Sequence, residues 1–148
     1  MVSLILEHYF QIPAADLGDA SRLHSLAMGA ENLVGDLLER YLATLMEPLG
    51  WAWCSGSLVK AVDFVKPGIP PGSWRLLQVK NRDNSENSSS SAIRGGTTIE
   101  KWHRTFSRRA GANWSAFPED SLKGSLSEAD FKRFVTGYLE GLRKQACA

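Results

Sequence analysis

The 148-residue chain is predicted to form an α/β (α+β) fold in which helices flank a central mixed β-sheet. Three observations predict it. An apolar helical stripe runs from Ser21 to Met46, three short aromatic and β-branched segments follow between Trp51 and Lys80, and two segments with helix-start signals come after them. With 43% apolar residues there is material for one hydrophobic core, so residues 1–148 are read as a single domain.

In the first helix Leu23, Leu26, Ala30, Leu33, Leu37, Tyr41 and Leu45 recur at three- and four-residue steps, and Pro48 with Gly50 stops it. "WAWCSG" and "SLVKAVDFV" read as strands meeting in a hairpin near Ser55 to Ser57. "KPGIPPG" is a second turn, since Pro70 and Pro71 cannot feed a sheet ladder, and "SWRLLQVK" is the third strand. Beyond an Asn- and Ser-rich stretch, "GGTTIEKWHRTFSRRA" is predicted to be a helix, with Thr97 and Glu100 as a capping box. "SLSEADFKRFVTGYLEGLRKQ" is a final helix with the same device at Ser125 and Glu128 and a packing face from Phe131 to Leu142.

Composition narrows the function. A net charge of +1 excludes a polycation of the histone kind, so any nucleic-acid site must be a local patch. Cys54 and Cys147 are far apart and the three histidines are scattered, which disfavours a zinc cluster and suits a reduced, cytoplasmic setting. The start "MVSLILEHYF" is interrupted by Glu7 and His8, no apolar run reaches membrane-spanning length, and no Gly-rich phosphate loop is present.

Chemistry concentrates on two strands. Alternation sets Leu76, Gln78 and Lys80 on one face of the third strand and Leu77 and Val79 on the other, while Asp63 in "KAVDFV" points away from Val62 and Phe64. Strands joined by so short a turn lie side by side, so Asp63 is expected near Gln78 and Lys80. An acid and an amide oxygen beside a strand-borne lysine suit metal-assisted phosphodiester hydrolysis. The oxygens take a hard cation such as Mg²⁺, and the lysine orients water and offsets developing negative charge. The same residues are also consistent with a surface aspartate and a solvated lysine.

"VDF", followed fifteen residues after its acid by "QVK", resembles the signature of the PD-(D/E)XK nuclease superfamily. Together with "ENLVGDLLERYL" and "IEKWHRTF", it is most similar to a type II restriction endonuclease over roughly residues 20 to 117. The resemblance implies a restriction-endonuclease-like core, Mg²⁺ as cofactor with Mn²⁺ possible, double-stranded DNA as substrate, and a homodimer that presents two sites to the two strands. It also implies a helix glutamate near the metal. Glu39 is the first choice and Glu31 the second, although both also fit solvated helix charges. Two positions depart from the pattern. Val62 replaces the usual Pro, and Gln78 replaces the usual acid with a weaker, uncharged ligand. The second departure leaves three readings: slower cleavage, recruitment of Asp83 or Glu86, or a catalytically degenerate fold acting as a DNA-binding module.

The stretch after Lys80 supplies DNA-contact candidates. Asn84, Asn87, Ser88 and Arg94 donate to phosphate oxygens and base edges, although a Ser run also suits a linker. From residue 75 to 109 there are eight Lys or Arg against three acids, and Lys101, Arg104 and Arg108 share one face if the segment is helical. His103 in the same segment could contact DNA or serve as a base, although a lone histidine on a helix is more often a partly exposed side chain, and Trp114 is read as a packing residue.

Overall fold

The computed structural model describes residues 13–55, 62–83 and 99–146. These belong to two units, Met1–Asp36 and Leu37–Ala148. In the first, a short turn at Ala14–Asp16 leads into helix α1, Leu17–Met46, whose Leu23, Leu26, Met28 and Leu33 are exposed.

The last ten residues of α1 belong to the second unit and are its first core element, with Leu37, Leu38, Tyr41, Leu42 and Met46 buried. The helix ends as expected. Pro48 starts a tight turn at Glu47–Leu49, and Gly50 adopts φ 85, the left-handed conformation that only glycine enters without a Cβ penalty, so that its N–H reaches Glu47 O at 3.0 Å.

Four strands follow in the order β1 (Ala52–Trp53), β2 (Phe64–Pro67), β3 (Trp74–Arg82) and β4 (Ile99–Thr105). The first three form an antiparallel meander, and β4 adds parallel to β3, so the sheet is mixed. The "KPGIPPG" turn is where it was expected, closed by Gly68 N to Ser73 O at 2.9 Å. The segment from residue 99 to 105 corrects the expected helix. It is a strand, and its Thr97 lies outside the described residues.

The physical reason lies in the partners of its charges. Glu100 and Arg104 project to the same side as buried Trp102, where Glu100 pairs with Arg75 and Arg104 with Glu128 at 2.6 Å. Two charged residues flanking a core tryptophan hide the two-residue period that identifies a strand.

Phe64, Leu77, Val79 and Trp102 form the buried face of the sheet. Against them pack Trp114 and Phe117, with Trp102 centroids 5.3 and 5.0 Å away, and Trp114 in turn meets Tyr41 and Phe131. Each such aromatic pair adds about 0.5–1.5 kcal/mol beyond area burial. Phe131 comes from helix α2, Glu128–Ala146. Its N-terminal hydroxyl is Ser127 rather than Ser125: Ser127 Oγ accepts from Asp130 N at 3.1 Å and donates to the Asp130 carboxylate. Among the described residues, no helix is long and apolar enough to cross a membrane.

Candidate active site

Asp63 lies one residue before β2, just beyond the last β2–β3 pair, Phe64 with Leu77. The backbone of Asp63 is pinned on both flanks: its N–H reaches Leu77 O at 2.9 Å, and its carbonyl accepts from Cys54 N at 2.8 Å. Its side chain folds onto β3, where Oδ2 accepts the Val79 N–H at 2.6 Å, between Gln78 and Lys80. Burial pushes the Asp63 carboxyl above its ordinary value. The Val79 hydrogen bond and the nearby Lys80 charge oppose this without cancelling it.

Gln78 points away from the buried face of Leu77 and Val79, and its Oε1 is buried with no hydrogen-bond partner among the described residues. Leaving such an atom unsatisfied costs about 1–3 kcal/mol, an arrangement that makes sense when a ligand completes it. An acceptor-only oxygen calls for a donor or a cation, so the pair of Asp63 carboxylate and Gln78 amide oxygen fits a hard divalent ion. No group of three His, Cys, Asp or Glu placed to hold a metal occurs among the described residues.

The parallel pairing extends this face onto β4, setting Lys101 beside Gln78 and His103 beside Lys80. His103 Nε2 is the second buried side-chain atom without a partner among the described residues. Its ring packs edge-on against Phe106 at 5.1 Å, and its carbonyl accepts from Asn113 Nδ2 at 3.2 Å. The face therefore grades from oxygen on β2 and β3 to nitrogen at Lys80, Lys101 and His103.

The other candidates are placed differently. Glu39 Oε2 accepts the indole N–H of Trp53 at 3.1 Å, and Trp53 pairs with Phe64, which puts it on the core side of the sheet. Glu31 is exposed on α1, within the first unit. Asp83 caps the end of the β3–β4 pair by accepting from Ser107 N, and the hydrogen bonds from Ser107 hold its carboxyl below the usual range. Asn84, Glu86, Asn87, Ser88 and Arg94 lie outside the described residues.

Lys101 and Arg104 do not share a face, because a strand alternates. Arg104 is 12% exposed, donates to Asn81 Oδ1 at 2.9 Å and lies over Phe131, so its charge is spent inside the fold. Arg75 is likewise taken by Glu100 and Glu119, whereas Arg108 is exposed beyond β4. The outward basic surplus is smaller than the sequence count suggested. The helical reading detached His103 from Lys80, its neighbour across the β3–β4 pair. The alternation of Ile99, Lys101 and His103 around Trp102 was the available signal.

Comparison with known proteins bears on this arrangement. A family model described as SinI restriction endonuclease matches residues 1–141. The chain is 53% identical over 143 residues to the type II restriction enzyme SinI of Salmonella infantis, covering 97% of this chain and 62% of that protein. It is 54% identical over 139 residues to the type II restriction enzyme Eco47I of Escherichia coli, covering 94% and 60%. The chain thus spans about three fifths of the length of these two relatives. With the Asp63 carboxylate seated on the Val79 amide between Gln78 and Lys80 and the family match running nearly end to end, the chain belongs to the SinI restriction endonuclease family, within the PD-(D/E)XK superfamily.

Proposed function

We propose that the chain is a metal-dependent endodeoxyribonuclease that hydrolyses phosphodiester bonds of double-stranded DNA, with Mg²⁺ as its cofactor and Mn²⁺ accepted. The observation that carries this reading is the convergence of Asp63, Gln78 and Lys80, with the Asp63 carboxylate seated on the Val79 amide between the other two. More than half identity to two type II restriction enzymes supports an active nuclease over a degenerate DNA-binding fold.

Asp63 and the Gln78 amide oxygen would hold the cation. A divalent ion held by Asp63 and Gln78 would supply Lewis-acid activation of the scissile phosphate and of the attacking water. Lys80, fixed on a strand paired on both sides, orients the attacking water and offsets the negative charge that develops on the phosphoryl oxygens. The water oxygen forms the new P–O bond, the ester P–O bond breaks, and the leaving oxygen takes up a proton. Cutting both strands requires two such sites, so the active form is a homodimer related by a twofold axis. Sedimentation in the presence of duplex DNA is expected to give twice the chain mass, and a purely monomeric species would contradict the two-site arrangement.

The direct test incubates the purified chain with plasmid DNA and Mg²⁺ or Mn²⁺ and follows nicking and linearisation; no cleavage with either ion overturns the reading. Gln78→Glu probes the ligand set. A carboxylate binds a hard cation more tightly than an amide, so calorimetric Mg²⁺ affinity is expected to rise by about tenfold or more. Without metal the new charge repels Asp63 and lowers the melting temperature, and added Mg²⁺ reverses the loss. Unchanged Mg²⁺ affinity would remove Gln78 from the ligand set.

A further inference from the structure

The first unit carries an apolar seam of α1 that faces solvent. Leu23, Leu26, Ala30 and Leu33 follow one another at steps of three, four and three residues, and all four are exposed, Leu23 at 66%, Leu26 at 60% and Leu33 at 45%. That spacing is the seam of a helix that pairs with a second helix, and a contiguous apolar row left in water marks an interaction surface.

The flanks of the seam identify the second helix. On one side Ala20, Ala27 and Val34 recur every seven residues, uncharged and small. On the other side Arg22, Gly29 and Asp36 stand at the same interval. Their order is positive, neutral, negative, so a copy of the helix turned end for end about a twofold axis near Gly29 sets each Arg22 against the other copy's Asp36. The same rotation lays Leu23 against Leu33 and Leu26 against Ala30. A copy running in the same direction makes neither charge pair, because Arg22 then faces the flank of Ala27. Arg22 and Asp36 are both exposed and form no ion pair with another described residue. Gly29 fits the same arrangement. A Cβ there would meet nothing within 4 Å, so the packing of the chain itself does not call for a glycine in mid-helix, where it weakens the helix. Two backbones crossing at that point approach more closely without a side chain.

We propose that the first half of α1, from Leu17 to Asp36, is the dimer contact of this chain, paired antiparallel with the same segment of a second copy. The inference rests on the homodimer reading above and names its contact. The leucine seam supplies the attraction, and the two Arg22 to Asp36 pairs set the direction.

Sedimentation equilibrium over a range of concentrations, with and without duplex DNA and without added divalent metal, gives the dimer dissociation constant. Leu26→Asp is expected to raise it by about 100-fold or more, since each copy then buries an unpaired carboxylate in the seam. Arg22→Asp and Asp36→Arg each bring like charges together twice per dimer and should each raise it by about tenfold. The combined variant exchanges the two signs and should return the constant to within about threefold of the parent, a rescue that a parallel pair does not give. The substituted positions are exposed, so far-ultraviolet circular dichroism of each variant should match that of the parent. A dimer whose constant ignores all these substitutions overturns the inference alone and gives the seam to another occupant, residues 1–12 of the same chain or a different protein. Charge reversals that weaken the dimer without rescue in the combined variant overturn the antiparallel pairing. A parent chain that stays monomeric in every condition overturns the homodimer reading together with the inference.

Discussion

Asp63→Asn is expected to reduce DNA cleavage by at least about 10³-fold while leaving the melting temperature equal to or above that of the parent. The asymmetry follows from the setting of the side chain. Asn keeps an oxygen for the Val79 N–H, so the geometry that seats residue 63 on β3 survives. The carboxylate charge proposed to hold the divalent ion is lost. Burial pushes the Asp63 carboxyl above its ordinary value, so the ionised form is less favourable in the folded chain than in the unfolded one. An acid with a raised folded pKa costs stability as pH climbs through that value, and replacing it with a neutral isostere lifts the cost. Plasmid time courses and thermal melts near neutral pH, run on one preparation, read both effects. Residual cleavage within tenfold of the parent would show that Asp63 is not a metal ligand, and a large fall in melting temperature would reassign it to the fold.

The second large effect concerns stability alone. Glu119 is 7% exposed and gathers the Trp51 indole N–H at 2.8 Å, the Ser121 hydroxyl at 2.6 Å, Arg75 at 3.4 Å and Lys66 at 3.6 Å. Burial alone would raise its carboxyl. The hydrogen bonds from Ser121 and Trp51 and the charges of Lys66 and Arg75 outweigh that and hold it at about 2. Relative to the ordinary value of 4.5, this corresponds to roughly 3 kcal/mol of folding free energy. Glu119→Ala also leaves Arg75 and the indole N–H under-satisfied, and is expected to cost about 3–5 kcal/mol.

The sign with pH is fixed by the depressed value. The contribution is complete above the unfolded pKa and fades as pH falls toward about 2. Urea unfolding of the parent and Glu119→Gln at about pH 7 and about pH 3 should therefore show a gap that narrows in acid; an equal gap at both would mean that the charge is idle. Specific activity of the folded fraction should be unchanged, since Arg75 leaves β3 on the side opposite Gln78 and Lys80.

The parts of this fold legible in the sequence are those whose local signals agree with their tertiary fate. Gly50 stops α1 where a left-handed residue is needed, and the period of "WRLLQVK" assigns Leu77 and Val79 inward and Gln78 and Lys80 outward without ambiguity. The acid-to-lysine spacing was readable for the same reason. Strand β4 was not, because the pairing of Arg75 with Glu100 and of Arg104 with Glu128 lies more than twenty residues away in sequence and turns inward positions into charged ones. Ser127 displaced Ser125 as the helix cap because the chain turns at Lys123 to Ser125 before α2 begins. The indole of Trp53 claiming Glu39 is another long-range event that no local pattern announces.

The mixed sheet carries a kinetic consequence. Asp63, Gln78 and Lys80 belong to one antiparallel hairpin closed by a six-residue turn, whereas His103 arrives on a strand that pairs parallel only after a crossover. Short closures are reached sooner during chain collapse, and distant parallel pairings are delayed by the entropy of joining remote segments. The hairpin that carries Asp63, Gln78 and Lys80 is thus expected to close before β4 docks beside it.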